Sequence, residues 1–209
     1  MSKFVKAYEG DKDRTVVYEY ADKTGIIKNG GTISWRHNNP GNIESTEFPK
    51  GHDGIGSVWR FAIFPDFETG RKGAFLLLKT AGYRHLALGQ AIAKYAPKTE
   101  NDTEKYIDYV VSKTGIDRDF PMSKLTDGQL WSVVDAMIVH EIFRVGAIET
   151  FDKPGRRYIW RTLKDAKVRP SHLLREGKIF EWASPPEDGH PSEAPGCRCW
   201  AQAYKFWDK

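Results

Sequence analysis

The chain has no apolar run near the ~20 residues that a membrane-spanning helix needs, and its start, Met1-Ser2-Lys3-Phe4-Val5-Lys6, lacks the apolar core of a secretory signal. These absences argue against a helical membrane protein. They predict synthesis in the cytoplasm, with any action at the periplasm or cell wall depending on delivery by another agent or on lysis. Cysteine is scarce, with two residues, Cys197 and Cys199. A disulfide between residues two apart would be strained, so a secreted disulfide scaffold is excluded. Charge of one sign is not in large excess. The net charge of +4 suits an anionic polymer without requiring one. Internal repeats and low-complexity tracts are missing too.

What is present is a globular composition of 209 residues, 40% hydrophobic and 29% charged, enough for one large domain or two small ones. Aromatics are plentiful, with 7 Trp, 9 Tyr and 11 Phe, and suit either a core or a sugar-stacking surface. The densest stretch is Trp35-Arg36-His37-Asn38-Asn39-Pro40-Gly41-Asn42-Ile43. Proline presets φ, glycine supplies the positive φ and Asn bonds nearby backbone, so Asn-Pro-Gly-Asn is a tight turn by its own chemistry. Amides beside aromatic and basic groups also form a surface suited to hydroxyls, N-acetyl groups and carboxylates.

This stretch is followed in order by Gly54-Ile55-Gly56-Ser57, Arg60-Phe61-Ala62-Ile63-Phe64-Pro65, Gly70, Tyr95-Ala96-Pro97, Glu100-Asn101-Asp102-Thr103, Tyr106 and Thr114-Gly115. The series, over about residues 14–148, resembles the lysozyme-like cell-wall hydrolases of phage virion proteins and of bacterial toxins such as type VI secretion effectors. The resemblance implies cleavage of peptidoglycan glycan strands by a muramidase or lytic transglycosylase. It implies as partners peptidoglycan, a secretion or virion carrier and, for an effector, an immunity protein.

Local patterns give the organisation. Thr15–Tyr20 and Ile26–Lys28 flank an Asp22–Gly25 turn and read as a hairpin. Apolar spacing predicts helices from Phe67 to about Thr80, Leu88 to Tyr95, Asp102 to Lys113 and Asp127 to Phe143. Thr99 or Asn101 with Glu104, and Thr126-Asp127, are start signals, and Gly115 and Gly146 are stops. Composition shifts near Phe151–Gly155. With the resemblance, this predicts an α+β chain: a mostly helical lysozyme-like domain with an N-terminal β-hairpin over 1–151, then a small basic module over 152–209.

Glycosidic cleavage needs a carboxylic acid kept protonated near neutral pH by an apolar setting. Glu141, at the end of the most apolar helix, is the first candidate, and His140–Gly146 resembles the Glu-containing helix end of cell-wall glucosaminidases. In those enzymes that helix precedes an Asn-Asn-x-x-Gly-Ile loop; here the loop comes first, which implies a circularly permuted relation. The plainer alternative pairs Glu141 with Arg144 or another cation. Glu44, directly after the loop, is the second candidate, as partner carboxylate or substrate-orienting group. Glu47 and Asp53 read as solvated, and Glu19 as outward-facing in a strand. Asn38, Asn39 and Asn42 are the substrate-positioning amides. Trp35 and Trp59 are candidate platforms, with burial the simpler expectation for Trp59, and Tyr95 and Tyr106 are candidate groove residues. Glu100–Thr103 reads as a helix cap.

Farther on, Val168-Arg169-Pro170-Ser171-His172, Gly177-Lys178-Ile179-Phe180, Pro185-Pro186, Gly189-His190-Pro191 and Gly196-Cys197-Arg198-Cys199 form a second ordered series. Over about residues 158–201 it resembles the C-terminal segment of phage Mu-type head-morphogenesis proteins, a segment also attached to toxin domains. His172, His190, Cys197 and Cys199 supply the residue types of a structural zinc site, although Cys-x-Cys departs from the usual finger spacing. The glycan chemistry requires no cofactor. Interleaved acids (Asp165, Glu176, Glu181) argue against nucleic acid as a partner of the basic stretch. Two other functions fit the residues: a non-catalytic wall-binding or phage structural protein, and a toxin acting through its C-terminal module.

Overall fold

A computed structural model describes residues 3–99, 102–141, 143–151 and 157–204. The chain forms two compact units, one of residues 1–20 and 26–149, the other of residues 21–25 and 150–209. The elements of the first are β1 (Lys6–Glu9), β2 (Thr15–Glu19), β3 (Gly25–Asn29), α1 (Ile33–Arg36), α2 (Glu47–Lys50), β4 (Gly56–Val58), β5 (Phe61–Ile63), α3 (Phe67–Leu78), α4 (Ala81–Arg84), α5 (Leu88–Tyr95), α6 (Thr103–Thr114), α7 (Asp127–His140) and the start of β6 (Ala147–Phe151). The second holds β7 (Arg157–Thr162), α8 (Pro170–Leu173), β8 (Ile179–Glu181) and β9 (Cys199–Ala203).

The mostly helical lysozyme-like architecture expected from the motifs is overturned. The strands form three antiparallel sheets, ordered β1-β2-β3-β6, β4-β5 and β8-β7-β9, and helix accounts for only about 34% of the described residues. Most of these strands run three to five residues, too short for period-2 alternation to stand out against neighbouring helices.

The helices α3, α5, α6 and α7 share the main core, in which Leu88, Ile92, Tyr106, Val110, Val133 and Val134 are buried. Phe75 of α3 stacks on Trp131 of α7 at 4.1 Å, and Arg71 meets Asp135 through two hydrogen bonds of 2.7 and 2.8 Å, so the two helices are fastened at the same level. Helix ends follow local chemistry. Thr126 and Gln129 form a reciprocal capping box at the start of α7, and Gly115 ends α6 in the left-handed conformation at φ 68°. Asp102, rather than Thr99, caps α6 through the Lys105 amide; Asn101 lies outside the described residues. Helix α7 stops at His140, short of Phe143, which makes Glu141 its C-cap. Gly146 does not end that helix. It lies against the Asn29 carbonyl, where a Cβ would come within 2.1 Å. Among the described residues no helix is long and apolar enough to cross a membrane.

Candidate active site

The Asn-rich loop leaves α1 and runs across the start of α3. Asn38 and Asn42 both take positive φ, 50° and 51°, which asparagine tolerates better than other non-glycine residues. The loop lies so close to α3 that a Cβ on Gly70 would come 1.9 Å from the Asn38 carbonyl oxygen. Asn38 and Asn39 turn inward. The Asn38 amide donates to the Phe64 and Pro65 carbonyls at 3.1 and 3.0 Å, and its oxygen accepts from the buried Lys28 ammonium at 2.6 Å. Asn39 donates to the Ile43 and Ala62 carbonyls and accepts from the Ile43 amide, all within 3.0 Å. These two amides are consumed by the scaffold. Trp35 is likewise buried, with Lys28 over its ring.

Asn42 differs. Its Nδ2 donates to Glu141 Oε2 at 2.8 Å, across 99 residues of sequence. Glu141 follows the last turn of α7, its amide still bonded to the Met137 carbonyl, and its Oε1 is 3.5 Å from the Tyr106 hydroxyl. Tyr106 is fully buried and stacks on His140 at 4.0 Å, which fixes the helix end carrying the carboxylate. Burial raises the Glu141 pKa above the ordinary carboxylate range, and the hydrogen bond from Asn42, the charge of His140 and the Tyr106 contact only partly oppose it. Tyr95 and Tyr106 are pushed well up, first by burial and then by the charge of Glu141.

Glu141, Asn42, Glu44, Arg60, Tyr83 and Tyr95 line one cavity of about 420 Å³. Tyr95 also donates its hydroxyl to the Gly41 carbonyl, tying α5 to the loop. Glu44 faces the cavity from its solvent side, 58% exposed, with Arg60 Nη1 at 3.5 Å. Lys94 and Phe61 complete a wall of cations and aromatic rings. The structure therefore brings together Glu141, Glu44, Asn42, Tyr95 and, behind Glu141, Tyr106. Asn38, Asn39 and Trp35 do not line the cavity. Trp59, expected in the core, is 79% exposed beside it, with its ring edge-on to Phe61 at 5.8 Å. Glu19 accepts from the Tyr8 hydroxyl, and Glu47 pairs with Lys50, both away from the cavity. Sequence reasoning missed Arg60, Tyr83 and Lys94 as lining residues. Arg60 stood within a recognised motif, whereas nothing local marked Tyr83 or Lys94.

The second unit holds a separate cluster. His172, Cys197 and Cys199 bring one nitrogen and two sulfurs within 4.8 Å of one another, close enough to bind a metal. His190, also expected in that set, is not part of it: its Nδ1 meets the Tyr158 hydroxyl at 3.0 Å. Both cysteines are free thiols.

Comparison with known proteins adds a phage association. Residues 139–202 match the family described as Phage Mu protein F like protein, beginning upstream of the expected residue 158 and including the end of α7. The chain is 36% identical over 115 residues to "Protein P5" of Pseudoalteromonas phage PM2, an alignment covering 49% of this chain and 66% of that protein. It is 44% identical over 45 residues to an uncharacterized protein of Haemophilus influenzae, covering 21% of this chain and 10% of that protein. The chain thus spans just under two thirds of the first relative and a small part of the second. The lysozyme-like likeness of the first unit rests on its motifs alone.

Proposed function

We propose that the first unit cleaves the glycan strands of peptidoglycan, with Glu141 as the general acid. The observation that carries this is a half-buried carboxyl with a raised pKa, opening into a cavity shared with a second carboxylate, Glu44. A carboxyl that holds its proton more tightly than an ordinary one is suited to give it to the departing glycosidic oxygen as the bond breaks. The Asn42 amide donates to Oε2 at 2.8 Å and the Tyr106 hydroxyl lies 3.5 Å from Oε1, so both oxygens of the acid are oriented by partners. Glu44, beside Arg60, supplies a base or nucleophile if the reaction is hydrolytic. If the substrate's own hydroxyl attacks, Glu141 works alone and an anhydro sugar results.

The lining supports an anionic, N-acetylated glycan over a neutral one. Arg60 and Lys94 suit the carboxylates of a wall polymer, while Tyr83, Tyr95 and Phe61 offer faces for sugar rings. Such an enzyme acts at the cell wall after delivery by a virion or release by lysis, and the phage comparisons favour those routes over secretion with an immunity protein. Loss of turbidity from a suspension of purified sacculi tests the reading: the wild type clears it and Glu141→Gln does not.

The same comparisons favour a second reading, a phage structural protein that holds the wall without cutting it. Binding to sacculi with no clearing by the wild-type chain would establish that reading instead.

A further inference from the structure

We propose that His172, Cys197 and Cys199 form a zinc site in the second unit, with Asp188 as the outer partner that orients the histidine. Cys197 and Cys199 are two apart in an extended segment entering β9, so their side chains leave the same face, while Arg198 between them turns away to Asp165 at 2.9 Å. Both thiols converge on one atom. His172 Nδ1 is 3.3 Å from Cys199 Sγ and 3.5 Å from Cys197 Sγ. A tetrahedral zinc with Zn–N about 2.0 Å and Zn–S about 2.3 Å separates nitrogen from sulfur by about 3.5 Å, so the ion fits with little movement.

The far side of the ring matches as well. His172 Nε2 lies 2.9 Å from Asp188 Oδ2, and the other Asp188 oxygen accepts from Arg175. A carboxylate on Nε2 fixes the tautomer that turns the Nδ1 lone pair toward the sulfurs, the usual support for a metal-bound histidine. One sulfur meets a donor: the Ser192 amide reaches Cys197 Sγ at 3.4 Å. Donors directed at sulfur suit metal-bound thiolates better than neutral thiols. His172 is only 2% exposed, and Trp160 meets its ring edge-on at 5.2 Å, so the imidazole is locked in place.

Binding moves both thiol protons to solvent and forms two Zn–S bonds and one Zn–N bond, leaving the fourth position to water. The ion would join α8 to the start of β9 in a unit whose core is small: Tyr158, Trp160, Val168 and Cys199. Units of this size commonly need such a staple.

The test is metal content of the full-length chain purified under reducing conditions, followed by titration with Co²⁺. We expect one zinc per chain, thiolate-to-cobalt charge-transfer absorption, and loss of both in Cys197→Ser and Cys199→Ser. Asp188→Asn should keep the stoichiometry and weaken affinity about 10- to 100-fold. Should the Ser variants misfold, alkylation of the wild-type chain decides: both cysteines protected from iodoacetamide until a chelator is added. A zinc-free chain without cobalt–thiolate absorption would overturn the proposal. So would alkylation of Cys197 in the zinc-supplemented chain as fast as after addition of the chelator, which would mark instead a reactive thiol not engaged by metal.

Discussion

Replacing Glu141 by Gln should abolish activity yet stabilise the first unit at alkaline pH, and that combination separates a catalytic carboxyl from a structural one. Burial raises the proton affinity of Glu141 in the folded chain. Between the ordinary carboxylate range and this raised value, the folded state binds more protons than the unfolded state. The associated stability is therefore complete at acid pH and is lost as pH rises through the folded-state pKa. Beyond it the native chain holds a partly desolvated charge. Gln keeps the acceptor used by Asn42, at 2.8 Å in the wild type, and removes that charge. The sign of the gain follows from removing a partly desolvated charge, and for a domain of this size each change of about 1 kcal/mol moves the melting temperature by about 2–4 °C, so the effect is readable in a thermal melt. Thermal melts at pH 4 should coincide for the two proteins, and at pH 8 the variant should melt higher. A variant that melts several degrees lower at pH 8 would refute the reasoning, because Glu141 would then be an ion-paired carboxylate holding the helix end.

Asn42→Gly keeps the positive φ of 51° but removes the donor to Glu141, and that hydrogen bond lowers the Glu141 pKa. The alkaline limb of the pH–rate profile should move upward, read by reducing-end or anhydro-end release across pH; an unmoved limb would show that Asn42 does not tune the acid. Gly70→Ala places a Cβ 1.9 Å from the Asn38 carbonyl oxygen, with backbone on both sides of the clash. It should cost about 2–4 kcal/mol in urea unfolding and reduce activity by displacing the loop; an unchanged midpoint would show that the loop is not held against α3.

Legibility followed the range of the interactions. The capping box of Thr126 and Gln129, the Gly115 stop and the helix α5 are written within a few residues, and the sequence shows them directly. The Asn-Pro-Gly-Asn loop was legible as a turn carrying amides, but not which amides face the cavity. That division depends on the approach of Gly70 and on carbonyls of Phe64, Pro65 and Ala62, more than twenty residues away. Trp35 and Trp59 exchanged their expected places for a related reason: Trp35 is covered by Lys28 of β3, whereas Trp59 occupies the positive-φ turn between β4 and β5 and is pushed outward. Beyond the N-terminal hairpin the sheet content went unseen, because short strands such as β4, β5 and β8 gain stability from pairing rather than from local pattern. Glu141 could be chosen from the apolar character of α7, while its partner Asn42 emerges only from the fold. In the second unit the residue types of a metal cluster were visible. The geometry kept His172, Cys197 and Cys199, released His190 to Tyr158, and brought in Asp188.

The most direct measurement is mass spectrometry of the soluble fragments released from purified peptidoglycan by wild type, Glu141→Gln and Glu44→Gln. We expect muropeptides from wild type and none from Glu141→Gln. Reducing ends would establish hydrolysis and require Glu44, and anhydro ends would establish transglycosylation by Glu141 alone. A folded wild-type chain that binds the sacculi and releases nothing, or a Glu141→Gln chain that releases as much as wild type, would contradict the assignment of Glu141 as the acid of a glycan-cleaving site.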